Sequence, residues 1–173
     1  MKNFKDTKSN KLVLIRIGFR LGISIMISFL IVFVLRTFFI FTYLIPNDSM
    51  LPNFPKNKKV ILYKANQFFL GDVVLIQQSK NSAFLARIVA KEGDRIYLKD
   101  KILNRNGNFV SEKFVEFTDK RILSSRISKR DSIEEMIIAE KSYFVLVDNR
   151  DLGIDSRELG FINKKDILGK VLF

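Results

Sequence analysis

Between Arg20 and Arg36 the chain carries fifteen residues without a charge, Leu21 to Leu35. A run of this kind has few ways to fold. As a helix it extends about 22 Å, short of the ~30 Å hydrocarbon core of a bilayer. The flanking arginines can snorkel and lengthen its reach, and a tilted span reaching Phe41 is a second solution. The rival is a cleaved leader with an apolar region of similar length. That needs a small-x-small cleavage site, and Arg36-Thr37-Phe38-Phe39-Ile40-Phe41 follows instead. The run is therefore read as an uncleaved anchor over 21–36. Residues 1–20 hold Lys2, Lys5, Lys8, Lys11, Arg16 and Arg20 against Asp6. This basic flank reads as a cytoplasmic N-terminus, with residues after about 37 outside the cytoplasmic membrane in a single-pass arrangement. The aromatic and β-branched stretch 37–45 reads as a strand or interfacial segment.

The net charge is +12. Beyond the flank the basic residues are scattered among acids, with no aromatic-basic platform, so membrane lipids rather than nucleic acid are the expected partner. The chain has no His and no Cys. That excludes Ser-His-Asp and Cys nucleophile chemistry, disulfides and most zinc sites, and no metal or cofactor is expected. Four residues past the apolar stretch comes Ser49, in Ile45-Pro46-Asn47-Asp48-Ser49-Met50-Leu51-Pro52. If its hydroxyl is a nucleophile, only Lys or a carboxylate is left to take the proton.

Short apolar runs bounded by turn residues fill the remainder, as in a mainly β domain over 37–173. Strands are expected at Val60–Tyr63, Asp72–Ile76, Phe84–Val89, Ile96–Leu98, Ile102–Leu103 and Tyr143–Val147, with a closing strand at 167–173. Asn106-Gly107 signals a type I′ hairpin. Residues 97–142 read as a small cap-like insertion, charged and weakly patterned over 111–141. Within it, Ser132 to Glu140 opens like a capping box and suggests a short helix.

Three stretches together resemble the type I signal peptidase family, over about 36–173. The first is 45–52, with Ser49, Met50 and Pro52. The second is Gly71-Asp72-Val73-Val74 followed by Leu85-Ala86-Arg87-Ile88-Val89-Ala90-Lys91-Glu92-Gly93-Asp94. The third is Asp148-Asn149-Arg150-Asp151-Leu152-Gly153-Ile154-Asp155-Ser156-Arg157. The resemblance implies a signal-peptidase-like, repressor-protease-like β catalytic domain behind one N-terminal transmembrane helix. It implies a Ser/Lys peptidase that removes signal peptides from exported preproteins, with Ser49 as nucleophile. Asn47 stands where a hydroxyl residue often helps hold the oxyanion, and its amide can donate the same bond. Met50, Pro52, Arg87, Gly93, Asp94, Asp148, Asn149, Arg150, Asp151, Asp155, Ser156 and Arg157 fall on the positions that support the site. Turn formation and Arg–carboxylate forks alone also account for those of the third stretch.

Two positions depart together. The family's lysine falls on Ala86, which accepts no proton, and the serine that orients it falls on Gly153. Arg87 is no substitute, because a guanidinium stays protonated. Lys91 has the wrong strand parity, Lys80 reads as a loop residue, and Asp48 and Asp94 read as surface or turn residues. Two functions follow from the resemblance. One is a Ser49 endopeptidase with an unidentified base. The other is an inactive paralogue that binds signal peptides, export machinery or a paralogous peptidase.

Overall fold

The computed structural model describes residues 3–172, with the side chains of 3–12, 37 and 38 left aside. It divides into two compact units, Met1–Phe41 and Thr42–Phe173.

The first unit is built on helix α1, Asn3–Phe39. Its apolar window runs from Val13 to Arg36, 24 residues with a mean hydropathy of 2.3. It begins earlier than the uncharged run, because Val13, Leu14, Ile15, Ile17 and Phe19 continue the apolar surface past Arg16 and Arg20. At 1.5 Å per residue that is about 36 Å, enough to cross a hydrocarbon core. The side chains of 13–36 are exposed on every face. A helix apolar all round requires apolar surroundings.

The strands are β1 (Ile40–Leu44), β2 (Lys59–Tyr63), β3 (Val73–Ser79), β4 (Ser82–Lys91), β5 (Arg95–Lys99), β6 (Ile102–Arg105), β7 (Asn108–Phe109), β8 (Ile133–Ile137), β9 (Ser142–Leu146), β10 (Ile162–Asn163) and β11 (Ile167–Leu172). A short helix α2 (Ser156–Leu159) precedes β10, and a 3-10 turn, Lys164–Asp166, precedes β11. A seven-stranded sheet runs β1-β2-β11-β3-β4-β9-β10, and a four-stranded sheet runs β7-β6-β5-β8. The fold of this unit is mainly β.

Among the described residues two apolar clusters flank β4. Val74, Ile76, Ala86, Ile88 and Val145 pack with Phe68, Ile162 and Ile167. Val89, Ala90, Phe144 and Leu146 pack with Ile96, Leu98, Leu103 and Ile138 of the smaller sheet. Strand β4 serves both. Its pairing with β9 shifts register between Ile88 and Ala90, and a bulge lets consecutive residues, Val89 and Ala90, reach the same core. The expected hairpin is present, with Asn106 and Gly107 at φ 54° and 79° between the paired Arg105 and Asn108. A type I′ turn requires both to be positive.

The expected helix over 132–140 is a correction. The segment forms β8, pairing Ile133 with Leu98 and Met136 with Ile96. The Ser132 hydroxyl accepts the Asp100 N–H at 3.1 Å instead of capping a helix. Burial of Ile133 and Met136 against the second core outweighs a weak helix propensity.

The irregular stretch 111–131 is held by backbone hydrogen bonds and by charge. Glu116 N donates to the Asp148 carbonyl at 2.9 Å and its own carbonyl accepts Arg150 N at 3.0 Å. Lys101 Nζ lies 3.0 Å from Asp151 and 3.8 Å from Asp131. Arg130 reaches Asp119 at 3.0 Å and Asp131 at 2.8 Å. Asp131 is fully buried. Burial pushes its carboxyl pKa up, but hydrogen bonds from Arg130 and the Leu123 N–H and the charge of Lys101 outweigh this and hold it below its ordinary value. A depressed carboxyl stabilises the fold above its unfolded pKa near 3.8, and that stability is lost as pH falls through the folded value. Asp131→Asn is therefore expected to lower stability at pH 7 by about 1–3 kcal/mol, with the gap to wild type closing below pH ~4. Urea midpoints in detergent across pH 3–7 measure this. Phe144→Ala, at the junction of the sheets, is expected to cost about 3–5 kcal/mol by the same assay.

Candidate functional site

Ser49 lies in the loop between β1 and β2, and backbone bonds close that loop at its base. Ile45 N donates to Lys58 O at 3.0 Å, and Asn57 N donates to Ile45 O at 2.8 Å. Ile45 and Met50 are fully buried anchors. Phe54 N donates to Met50 O at 2.9 Å, turning the chain back after Pro52. Asp48 Oδ1 accepts the Lys56 N–H at 3.1 Å, so this carboxylate serves the loop. Ser49 itself is 6% exposed. Its carbonyl accepts Asn149 N at 2.9 Å, and its N–H donates to Asn47 Oδ1 at 3.2 Å.

Behind Ser49 stands a buried ion pair. Arg87 Nε donates to Asp148 Oδ1 at 2.8 Å, its Nη1 donates to Gly71 O at 2.9 Å, and Nη2 lies 2.5 Å from Asp148 Oδ2. Asn53 Nδ2 also reaches Asp148, at 2.9 Å, and Phe114 O at 3.0 Å. The third stretch is fastened to β9. Val147 N donates to Asp155 Oδ2 at 3.1 Å, and Val145 N donates to Ser156 Oγ at 3.0 Å. Arg157 pairs with Asp155 and donates to the Arg150 carbonyl at 2.8 Å. Arg150 is 3% exposed and pairs with Glu112. Burial raises the Glu112 carboxyl pKa, and Arg150 partly offsets it. Gly93 turns the chain at φ 81°, and Asp94 accepts the Lys91 N–H at 3.0 Å. Gly93 and Asp94 thus shape the β4–β5 turn.

Ser49 opens onto a cavity of about 350 Å³. Tyr43, Ile45, Pro46, Asn47 and Met50 line it from the loop side, Ala83, Phe84 and Leu85 from β4, and Gly153 and Ile154 from the third stretch. Ala86 does not line it. Its methyl group is fully buried in the first core with Val74 and Ile88. Among the described lining residues the only titratable group is the Tyr43 phenol, which donates to Ala83 O at 2.6 Å. Burial raises its pKa, so it stays protonated. Lys80 is exposed and borders a neighbouring groove with Tyr43 and Pro46. Lys91 sits with Glu92 and Lys141 at another surface.

Gly153 is drawn against the serine. A Cβ there would lie 2.7 Å from Ser49 Cβ, and the backbone is at φ +91°. The close approach requires a residue without a side chain.

The family model for signal peptidase, peptidase S26, matches residues 18–173. The chain belongs to this family. It is 29% identical over 163 residues to signal peptidase IB of Staphylococcus aureus, covering 87% of this chain and 85% of that one. Signal peptidase I P of Bacillus subtilis subsp. natto is 30% identical over 152 residues, 84% of this chain and 82% of that one. A crystal structure of a signal peptidase I from Enterococcus faecalis V583 matches 64% of this chain and 100% of that chain, with 22% identity and a TM-score of 0.48.

Sequence reasoning missed the cavity walls Tyr43, Phe84, Leu85 and Ile154. Phe84 and Leu85 directly precede Ala86 in β4, and their apolar character in mid-strand was the available signal. It also missed Asn53, Glu112 and Phe114, whose partners lie 38 to 95 residues away. Gly153→Ser and Gly153→Ala are expected to destabilise alike, by about 1–3 kcal/mol. The added Cβ, and not the hydroxyl, is at fault, and thermal unfolding of both variants in detergent checks it.

Proposed function

We propose that this chain is a membrane-anchored member of the signal peptidase family that binds signal peptides without cleaving them through Ser49. The supporting observation is the cavity around Ser49, whose described lining offers no group able to accept a proton. A Ser hydroxyl without a general base loses about 10²–10⁴ in rate, more when the assembled site is lost. The position that the resemblance gives to a lysine is Ala86, held in the apolar core. The position that it gives to the orienting serine is Gly153, where a side chain would collide with Ser49. The Ser49 N–H, which an oxyanion would need, is engaged by Asn47 Oδ1.

Binding is the part of the family's activity that this reading keeps. Strand β9 pairs with β4 only from Arg87 onward, so the stretch of β4 beside the cavity, 82–86, has no partner on that side among the described residues. An extended signal-peptide segment adds there as a strand. Its small side chains enter the pocket between Ile45, Leu85 and Ile154. The basic flank keeps the N-terminus inside and the β domain outside the cytoplasmic membrane. Export machinery or a paralogous peptidase receives the bound peptide.

The second reading, a Ser49 endopeptidase, is favoured by the serine itself, which stands at the cavity with Asn47 beside it. One experiment separates the two. Full-length chain in bilayers is mixed with a preprotein carrying a photo-crosslinker in its signal peptide. Wild type and Ser49→Ala are expected to capture it equally, with cleavage by neither. Cleavage by wild type that Ser49→Ala abolishes would establish the peptidase instead, and capture by neither would sink the binding proposal.

A further inference from the structure

A second cavity, of about 530 Å³, lies on the other flank of the Ser49 loop. Its apolar wall includes Ile61, Phe114 and Leu172, and Lys58 and Lys59 stand at it with no acidic residue in the lining. Ile61 and Leu172 pair directly across β2 and β11 yet are 49% and 42% exposed. Such a stripe is left open to water only at a cost, unless something covers it. The third cation, Arg87, is committed to Asp148 and the Gly71 carbonyl. Lys58 and Lys59 are exposed and, among the described residues, carry no ion pair. Lys58 Nζ rests 5.4 Å from the Phe54 ring centroid.

We propose that this groove binds one anionic phospholipid, its phosphate held by Lys58 and Lys59 and an acyl chain laid over Ile61, Leu172 and Phe114. Two ammonium groups beside a continuous apolar wall match one charged head joined to an apolar tail. A peptide is the poorer fit. Strand β2 is paired on both sides, by β1 and β11, so the groove offers no free strand edge for a main chain to join. The anchor supplies the ligand. Only five residues separate Arg36, the end of the apolar window, from Thr42, where this unit begins. A short tether keeps lipid at high effective concentration. The proposal rests on the membrane anchor of the proposed function and not on the fate of Ser49.

The test uses the full chain with a photoreactive residue replacing the exposed Ile61, in bilayers of equal phosphatidylglycerol and phosphatidylcholine, both carrying clickable tails. A lysine at an anionic surface contributes about 1 kcal/mol, so two favour phosphatidylglycerol by about 30-fold. Lys58→Gln with Lys59→Gln is expected to bring that preference to near one. Lys99→Gln with Lys120→Gln, an equal change of charge at exposed residues outside the groove, is expected to leave it intact. Equal capture of the two lipids by wild type, or loss of preference in both double variants, would overturn the site in favour of unspecific surface charge. Displacement of the lipid by an acidic peptide would overturn it in favour of a peptide site. Release of the chain by alkaline extraction would overturn anchor and site together, whereas failure of lipid preference in an alkali-resistant chain overturns this site alone.

Discussion

Arg87 and Asp148 form the contact on which the rest of the β unit depends. Neither is adequately solvated, at 8% and 0% exposure, and a charge buried this way is tolerated only when paired and hydrogen-bonded. Satisfying the pair gathers distant parts of the chain. Arg87 comes from the middle of β4, Asp148 from the segment after β9, Gly71 from the turn before β3, and Asn53 from the Ser49 loop. Phe114 closes it, with its ring 4.2 Å from the Arg87 guanidinium. The bond from Asn149 N to Ser49 O then follows from the neighbouring position, because Asp148 is already in place. Ser49 is thus tied, through Asn149, to the chain segment that this ion pair fixes.

The same economy explains how the irregular stretch 111–131 stays ordered without strands. Its acids and bases meet partners on the third stretch and on Lys101. Asp119, Asp131 and Asp151 share Lys101 and Arg130. Partly buried and mutual, these pairs are less screened by salt than isolated surface pairs. The stretch also contributes Phe114, which walls the second groove. The supporting frame around Ser49 is therefore dense, while the described lining of the cavity beside it holds no Lys, Asp or Glu. That contrast is why binding, more than turnover, is the reading the geometry supports.

Much of the fold was legible because its signals are local. Short apolar runs bounded by turn residues marked β2 to β6 and β9 within a few residues, and Asn106-Gly107 needs only its own φ angles. The apolar helix was legible from a run of uncharged residues, although its window opens at Val13 because single arginines do not interrupt a helix's apolar surface. The stretch 132–140 misled, since a capping-box pattern is also local but weaker than the pairing of Ile133 and Met136 with β5. The order of the three motifs carries the resemblance to the family, because each motif is a short run of residue types. The cavity was not legible. Tyr43, Leu85 and Ile154 come together from three segments, and no spacing rule connects them.

By itself the sequence determined an apolar span, a β unit after it, a serine without His or Cys partners, and the absence of a lysine at position 86. These are matters of residue type and short-range pattern. Tertiary structure alone decided that Ala86 belongs to the core while its neighbour Leu85 lines the cavity at Ser49. It also decided that Gly153 presses its bare backbone against Ser49, and that Lys58 and Lys59 flank an uncovered apolar wall. Those facts depend on side chains and backbone packed across long separations in the chain. Close packing of the interior settles such contacts, and no local pattern in the sequence encodes them.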